Sequence, residues 1–307
     1  MSLAEIIFIL TGTCAVLVFG GKLVCLFMML VPKLFCPLPE SFFTTLGKWA
    51  VVTGGSDGIG RAYAEELSKL GMSVIIISRN QEKLARAARK IELTTGQEVK
   101  VIAADFTKDD IYGHINENIK GLDIGILVNN VGILPSQIPC KLLETSDLEE
   151  RIHDVINCNV KAMVKMCRIV LPEMQQRGRG VILNVSSGIA KIPCPIYTLY
   201  AASKVFVERF SQGLQAEYKF KGIIIQTVAP FGVSTAMTGH QKPDMVTFRP
   251  EEFARSSLKY LKLGDQTYGS VTHTILGGIV QSIPTWVLQS KAFQHHFREY
   301  VKEKVGS

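Results

Sequence analysis

From Lys48 onward, short apolar runs alternate with longer amphipathic stretches, and this alternation limits the fold more than any other feature. Trp49–Thr53, Ser73–Ser78, Val99–Ala104, Ile124–Asn129, Gly180–Ser186 and Ile223–Ala229 are rich in Val and Ile and are bounded by Gly, Asp or Asn. Between them, Arg61–Leu70, Gln81–Leu93 and Asp109–Ile119 carry apolar residues at helical spacing. Continuous apolar strands are buried on both faces, and strands joined through helices run parallel. The pattern therefore predicts an α/β chain with a doubly wound parallel sheet and helices on both faces. No break in the alternation divides it, so residues 48–307 are read as one domain with an apolar C-terminal tail.

Residues 1–47 read differently. From Ile6 to Val31 the only charged residue is Lys22, and the stretch is longer than the roughly 20 residues that cross a bilayer. A signal peptide is the first rival, but its leading region should be positive, whereas Glu5 is the only charge before Lys22. Lys22 splits the run, so a span or an interfacial, tilted segment with a snorkelling lysine both fit. Lys22, Lys33 and Lys48 follow the first apolar stretch, which by the positive-inside rule places the large domain in the cytosol. Pro32 to Pro39 reads as a stiff linker.

The net charge of +7 does not come from a basic run interleaved with aromatics, so a nucleic-acid surface is not expected. The seven cysteines are an odd number without C-x-x-C pairs or zinc spacing, and they are read as reduced thiols with no metal site.

Directly after the first strand comes Thr53-Gly54-Gly55-Ser56-Asp57-Gly58-Ile59-Gly60. Glycines there allow a tight turn and close approach of backbone to a pyrophosphate, and the following helix N-terminus offers amide donors. The second strand ends at Ser78-Arg79, where an NAD-binding chain would carry an acid for the ribose hydroxyls. Arg79 instead offers a fork for a 2′-phosphate, so NADP(H) is the expected cofactor. Asp105, past the third strand, either accepts from an adenine amino group or caps a helix.

Tyr200 and Lys204 lie four residues apart on a predicted helix and so share a face. A nearby ammonium is expected to lower the phenol's pKa from about 10 and bring proton transfer within range. Ser187, at the carboxyl edge of the fifth strand, can bond a carbonyl oxygen while Tyr200 protonates it; Ser187 and Tyr200 are thus the expected substrate contacts. Asn159 either holds a water that links Lys204 to solvent or is a buried structural amide. Tyr197 is a decoy, because four residues on from it stands Ala201.

Together these motifs resemble the short-chain dehydrogenase/reductase family. They are T-G-x-x-x-G-x-G at Thr53–Gly60, N-N-x-G at Asn129-Asn130-Val131-Gly132, then Asn159, Ser187 and Y-x-x-x-K at Tyr200–Lys204. The resemblance implies a Rossmann-type fold and a catalytic set of Asn159, Ser187, Tyr200 and Lys204. It implies cofactor contacts from the Gly54–Gly60 loop, Ser78, Arg79, Asp105, Asn129, Asn130, Tyr200, Lys204 and Thr235. One departure is Pro230-Phe231-Gly232, where the family usually has Pro-Gly, and the loop shape there stays open.

Ala104–Tyr112, Gly125–Gly132, Val233–Thr238 and Ser282–Trp286 further resemble the branch that reduces 17-ketosteroids to 17β-alcohols with NADPH at the endoplasmic reticulum membrane. That branch implies a steroid substrate; a homodimer is a separate expectation that the sequence leaves open. The alternative is the sister branch that reduces very-long-chain 3-oxoacyl-CoA. Its expected lysine pair near the end is missing from Lys304-Val305-Gly306-Ser307. The tail stretch Thr274–Val280, followed by Pro284-Thr285-Trp286, covers the pocket, rests on the membrane or completes the core. His295-His296 read as a solvated tail.

Overall fold

The computed structural model describes residues 2–31, 38–39 and 41–306. The linker at Pro32–Pro39 therefore falls mostly outside the described residues, as do Lys33 and Cys36; the side chains of Lys22 and Cys25 are likewise outside them.

Seven parallel strands run in the order β3-β2-β1-β4-β5-β6-β7. They are β1 (Trp49–Thr53), β2 (Ser73–Ser78), β3 (Val99–Ala103), β4 (Ile124–Asn129), β5 (Gly180–Val185), β6 (Ile223–Val228) and β7 (Gln266–Thr267). Six coincide with the apolar runs to within a residue; β7, two residues at the sheet edge, was not expected. The order reverses direction between β1 and β4, and ligands of such sheets bind outside the carboxyl ends of the strands at that switch point.

Side chains alternate across the strands and so feed two cores. Ala50 and Val52 of β1 face α3 (Gly58–Lys69), α4 (Gln81–Thr95) and α9 (Pro250–Leu258), while α2 (Phe42–Leu46) closes the lower edge. Trp49 and Val51 face α5 (Ile111–Ile119), α7 (Ala162–Arg177) and α8 (Thr198–Tyr218) on the other side. Between α6 (Leu148–Val155) and α7 the helix opens into a π turn, Ile156–Lys161, where the N–H of Ala162 bonds Asn157 O.

The N-terminal α1 (Leu3–Leu30) is one continuous helix through position 22 and starts with a capping box between Ser2 and Glu5. Its Leu3–Gly21 portion has a mean hydropathy of 2.2 and buries none of it, enough length and apolarity to cross a membrane. The tail forms α10 (Val271–Gln281), α11 (Thr285–Leu288) and α12 (Lys291–Gly306).

Candidate active site

One cavity of about 680 Å³ opens at the carboxyl ends of the strands and joins the glycine loop, the tyrosine helix and the tail. Its floor is the β1–α3 turn. Gly54 and Gly58 hold positive φ of 66° and 54°, which a side chain would strain. A Cβ on Gly60 would collide with Gly54 O, so this glycine lets α3 close on the turn. Asp57 caps α3 by accepting from Gly58 N at 2.7 Å. The turn is tied to β4, because Thr53 Oγ1 accepts from the N–H groups of Asn130 and Val131 at 3.0 and 3.1 Å. Asn130 Nδ2 in turn donates to Thr53 O at 2.9 Å.

Gly54, Asp57, Gly58, Ile59, Ser78 and Arg79 line this end of the cavity. Ser56 bonds Ser78 Oγ at 2.9 Å, and Arg79 is exposed with no hydrogen bond or ion pair among the described residues. Asp105 lines the cavity and accepts from Thr107 N and Oγ1 at 3.1 and 3.0 Å, capping its own turn and not a helix. Asn129 stands behind the groove, buried, donating to Asn184 Oδ1 at 2.8 Å. Thr235 lines the cavity beside Gly58, its N–H bonded to Thr238 Oγ1. A glycine-walled groove at a helix N-terminus, with a free guanidinium at its edge, fits a dinucleotide that bears a 2′-phosphate.

Tyr200 and Lys204 lie on α8, buried beneath the cavity. Lys204 Nζ donates to Val185 O at 3.0 Å and stands 5.8 Å from the centre of the Tyr200 ring. Burial pulls the Lys204 ammonium down to about 8. Burial also pushes the Tyr200 phenol up to about 12, opposed by a hydrogen bond with Ser187. The expected lowering of the tyrosine is thus corrected: desolvation outweighs the Ser187 hydrogen bond, and Lys204 Nζ donates to the β5 carbonyl.

Asn159 sits inside the π turn, whose extra residue turns its amide inward. Its Oδ1 accepts from Ile133 N at 2.8 Å, and its Nδ2 donates to Ile133 O at 3.0 Å and Ser203 Oγ at 3.0 Å. It locks the loop after β4 to the tyrosine helix. Of the two open readings of Asn159, the buried structural amide is the one this geometry matches; its partners are revealed only by the fold. Gly132 leaves room here: a Cβ on it would stand 3.2 Å from Lys204 Nζ.

Ser187 caps the short helix Gly188–Lys191 and faces the same cavity as Tyr200. Ser186 faces away and donates to Lys204 O at 2.9 Å. Tyr197, read as a decoy for chemistry, is a wall: it donates to Gln137 O at 2.9 Å and packs edge-on against Phe297. The tail supplies the rest of that wall through Leu276, Val280, Ile283 and Leu288, from the stretch left among three roles, and through Phe297. His295 and His296 are exposed on the outer face of α12.

Residues 48–246 match the family described as short chain dehydrogenase. The chain belongs to this family. The 17-beta-hydroxysteroid dehydrogenase type 3 of Danio rerio is 86% identical over 304 residues, covering 99% of both chains. The very-long-chain 3-oxoacyl-CoA reductase of Macaca fascicularis is 43% identical over 264 residues and 84% of each chain. Among solved structures, a short-chain dehydrogenase from Sphingobium yanoikuyae in complex with NADPH superposes with a TM-score of 0.65 at 25% identity. It covers 77% of this chain and 96% of that one. The family match thus agrees with the seven-stranded sheet and spans the motifs from Thr53 to Lys204.

Proposed function

We propose that the protein reduces a 17-ketosteroid to the 17β-alcohol with NADPH, as in conversion of androstenedione to testosterone. The single observation that carries the substrate choice is the full-length 86% identity to a 17-beta-hydroxysteroid dehydrogenase, set against 43% and 49% to 3-oxoacyl-CoA reductases. The cavity agrees, because its tail-lined end is apolar and one face carries a hydroxyl pair, Ser187 and Tyr200.

NADPH bound along the glycine loop supplies the hydride. The chain's own residues do the rest. Gly54, Gly58 and the α3 N-terminus would hold the pyrophosphate and Arg79 would pair with the 2′-phosphate, while Asn130 keeps the loop in place. Lys204, held by Val185 O, would contact the ribose, and Thr235 the carboxamide. Ser187 Oγ orients the ketone oxygen. Tyr200 keeps its proton at neutral pH, since burial has raised its pKa, and gives it to the oxygen as negative charge develops there. Asn159 fixes the spacing between the β4 loop and α8, so that these groups meet.

Residues 1–47 serve as anchor and linker and 48–307 as the catalytic domain. α1 supports a membrane location, assigned to the endoplasmic reticulum with the catalytic domain on the cytosolic side. Exposed Val205 and Phe206 on α8 support a homodimer.

The test is NADPH oxidation by microsomes carrying the protein, with androstenedione and a very-long-chain 3-oxoacyl-CoA offered separately. The reading expects a far higher specificity constant for the steroid. Preference for the acyl-CoA would replace it with the sister activity.

A further inference from the structure

No Asp, Glu, Lys or Arg occurs between Asp265 and Lys291, in a chain that is 20% charged. This stretch builds α10 and α11. Leu276 and Val280 of α10 point into the cavity. Val271, Ile275 and Ile279, spaced by four and hence on one stripe, are 41, 51 and 57% exposed. Trp286 on α11 is 74% exposed. A helix apolar toward both the cavity and the outside has nonpolar surroundings on two sides, and an exposed apolar stripe of this kind marks a contact surface. α1, whose spanning portion is unburied all round, touches α10. The helix that carries the stripe thus stands beside the membrane helix.

We propose that α10 and α11 lie in the bilayer surface beside α1 and form the wall through which an apolar substrate passes from lipid into the cavity. The occupant of the outer stripe is the lipid itself. Trp286 suits the interface, where indole rings sit at headgroup level, and a partly inserted apolar face is how such helices bind. A substrate dissolved in the membrane then reaches Tyr200 past Leu276 and Val280 without crossing water. The inference rests on the anchoring proposed for α1; only its kinetic arm rests on the ketosteroid reading.

The experiment uses the full chain reconstituted in phosphatidylcholine vesicles with or without brominated acyl chains. The protein has two tryptophans, and Trp49 is buried, so Trp286 emission is the difference between the parent chain and Trp286→Phe. The expected result is strong quenching of that component by brominated lipid and little by aqueous iodide. Quenching by iodide alone overturns the inference. Shielding from both quenchers, with cross-linking into dimers, overturns it in favour of a second copy. A chain that fails to pellet with vesicles overturns it together with the anchoring. Ile275→Glu combined with Ile279→Glu, both exposed, should raise KM for a vesicle-delivered steroid severalfold with kcat and the NADPH KM kept. An unchanged steroid KM contradicts the entry route. If the ketosteroid reading fails instead, the parent chain shows no steroid turnover while the bromolipid quenching persists.

Discussion

The ring of Phe231 fills the space that a side chain on Gly188 would need: an added Cβ would stand 2.5 Å from two ring carbons. Phe231 also stacks on Tyr268 at 5.7 Å between centroids, and the Tyr268 ring lies directly against Gly277 of α10. The Pro230-Phe231-Gly232 departure thus builds an aromatic slab between the Ser187 loop and the tail, with a glycine at each end. Gly188→Ala should displace Ser187 and lower kcat by roughly 10–100-fold, the scale of an ångström's misplacement at a reacting centre. Gly188→Ala combined with Phe231→Ala should recover part of the loss. Steady-state kinetics with NADPH decides this.

The same loop is pinned from the other side. Lys191 Nζ lies 2.9 Å from Glu208 Oε2, both side chains nearly buried, and Ser186 Oγ approaches the other Glu208 oxygen at 3.4 Å. Removing one partner of such a pair leaves a buried charge and costs about 3–5 kcal/mol. Glu208→Gln should destabilise the protein on that scale in denaturant titration. Lys191→Met with Glu208→Leu should cost markedly less.

Lys204 gives the activity its pH dependence. Its pKa of about 8 means that the ammonium is present below that pH and lost above it. The Tyr200 phenol, at about 12, stays protonated throughout this range. Reduction should therefore be flat on the acid side of about pH 8 and fall on the alkaline side. In Lys204→Arg, whose cation does not titrate there, any remaining activity should lack that limb. A pH–rate profile from 6 to 10 checks it, a window of roughly two units either side of the ammonium's midpoint.

Arg79 is exposed at the rim of the groove, without a partner among the described residues. Arg79→Asp should weaken NADPH binding by about 1.5–3 kcal/mol, the worth of a charge-assisted hydrogen-bonded pair, and narrow the gap to NADH. Binding titration with both nucleotides measures it.

Six strands and the glycine turn were legible because buried parallel strands are uniformly apolar and the turn demands glycine. α3 begins three residues before the amphipathic pattern does, at Gly58, because Asp57 caps it there. β7 escaped notice because two residues carry no period. The π turn at Asn159 depends on one shifted backbone bond that no spacing encodes. The sign of the Tyr200 shift was misjudged because burial is a property of the whole fold, whereas the Y-x-x-x-K spacing shows only a neighbouring ammonium. The substrate wall was least legible: Leu276, Phe297 and their neighbours come together only when the tail helices fold back against the Ser187 loop and Tyr197.

The central claim is that Tyr200 donates the proton to the ketone oxygen. Its most direct test is Tyr200→Phe in microsomes, followed by androstenedione reduction with NADPH and, separately, by nucleotide binding. The account predicts that turnover is almost abolished while NADPH still binds with nearly parental affinity. Turnover near the parental rate in that variant would contradict it.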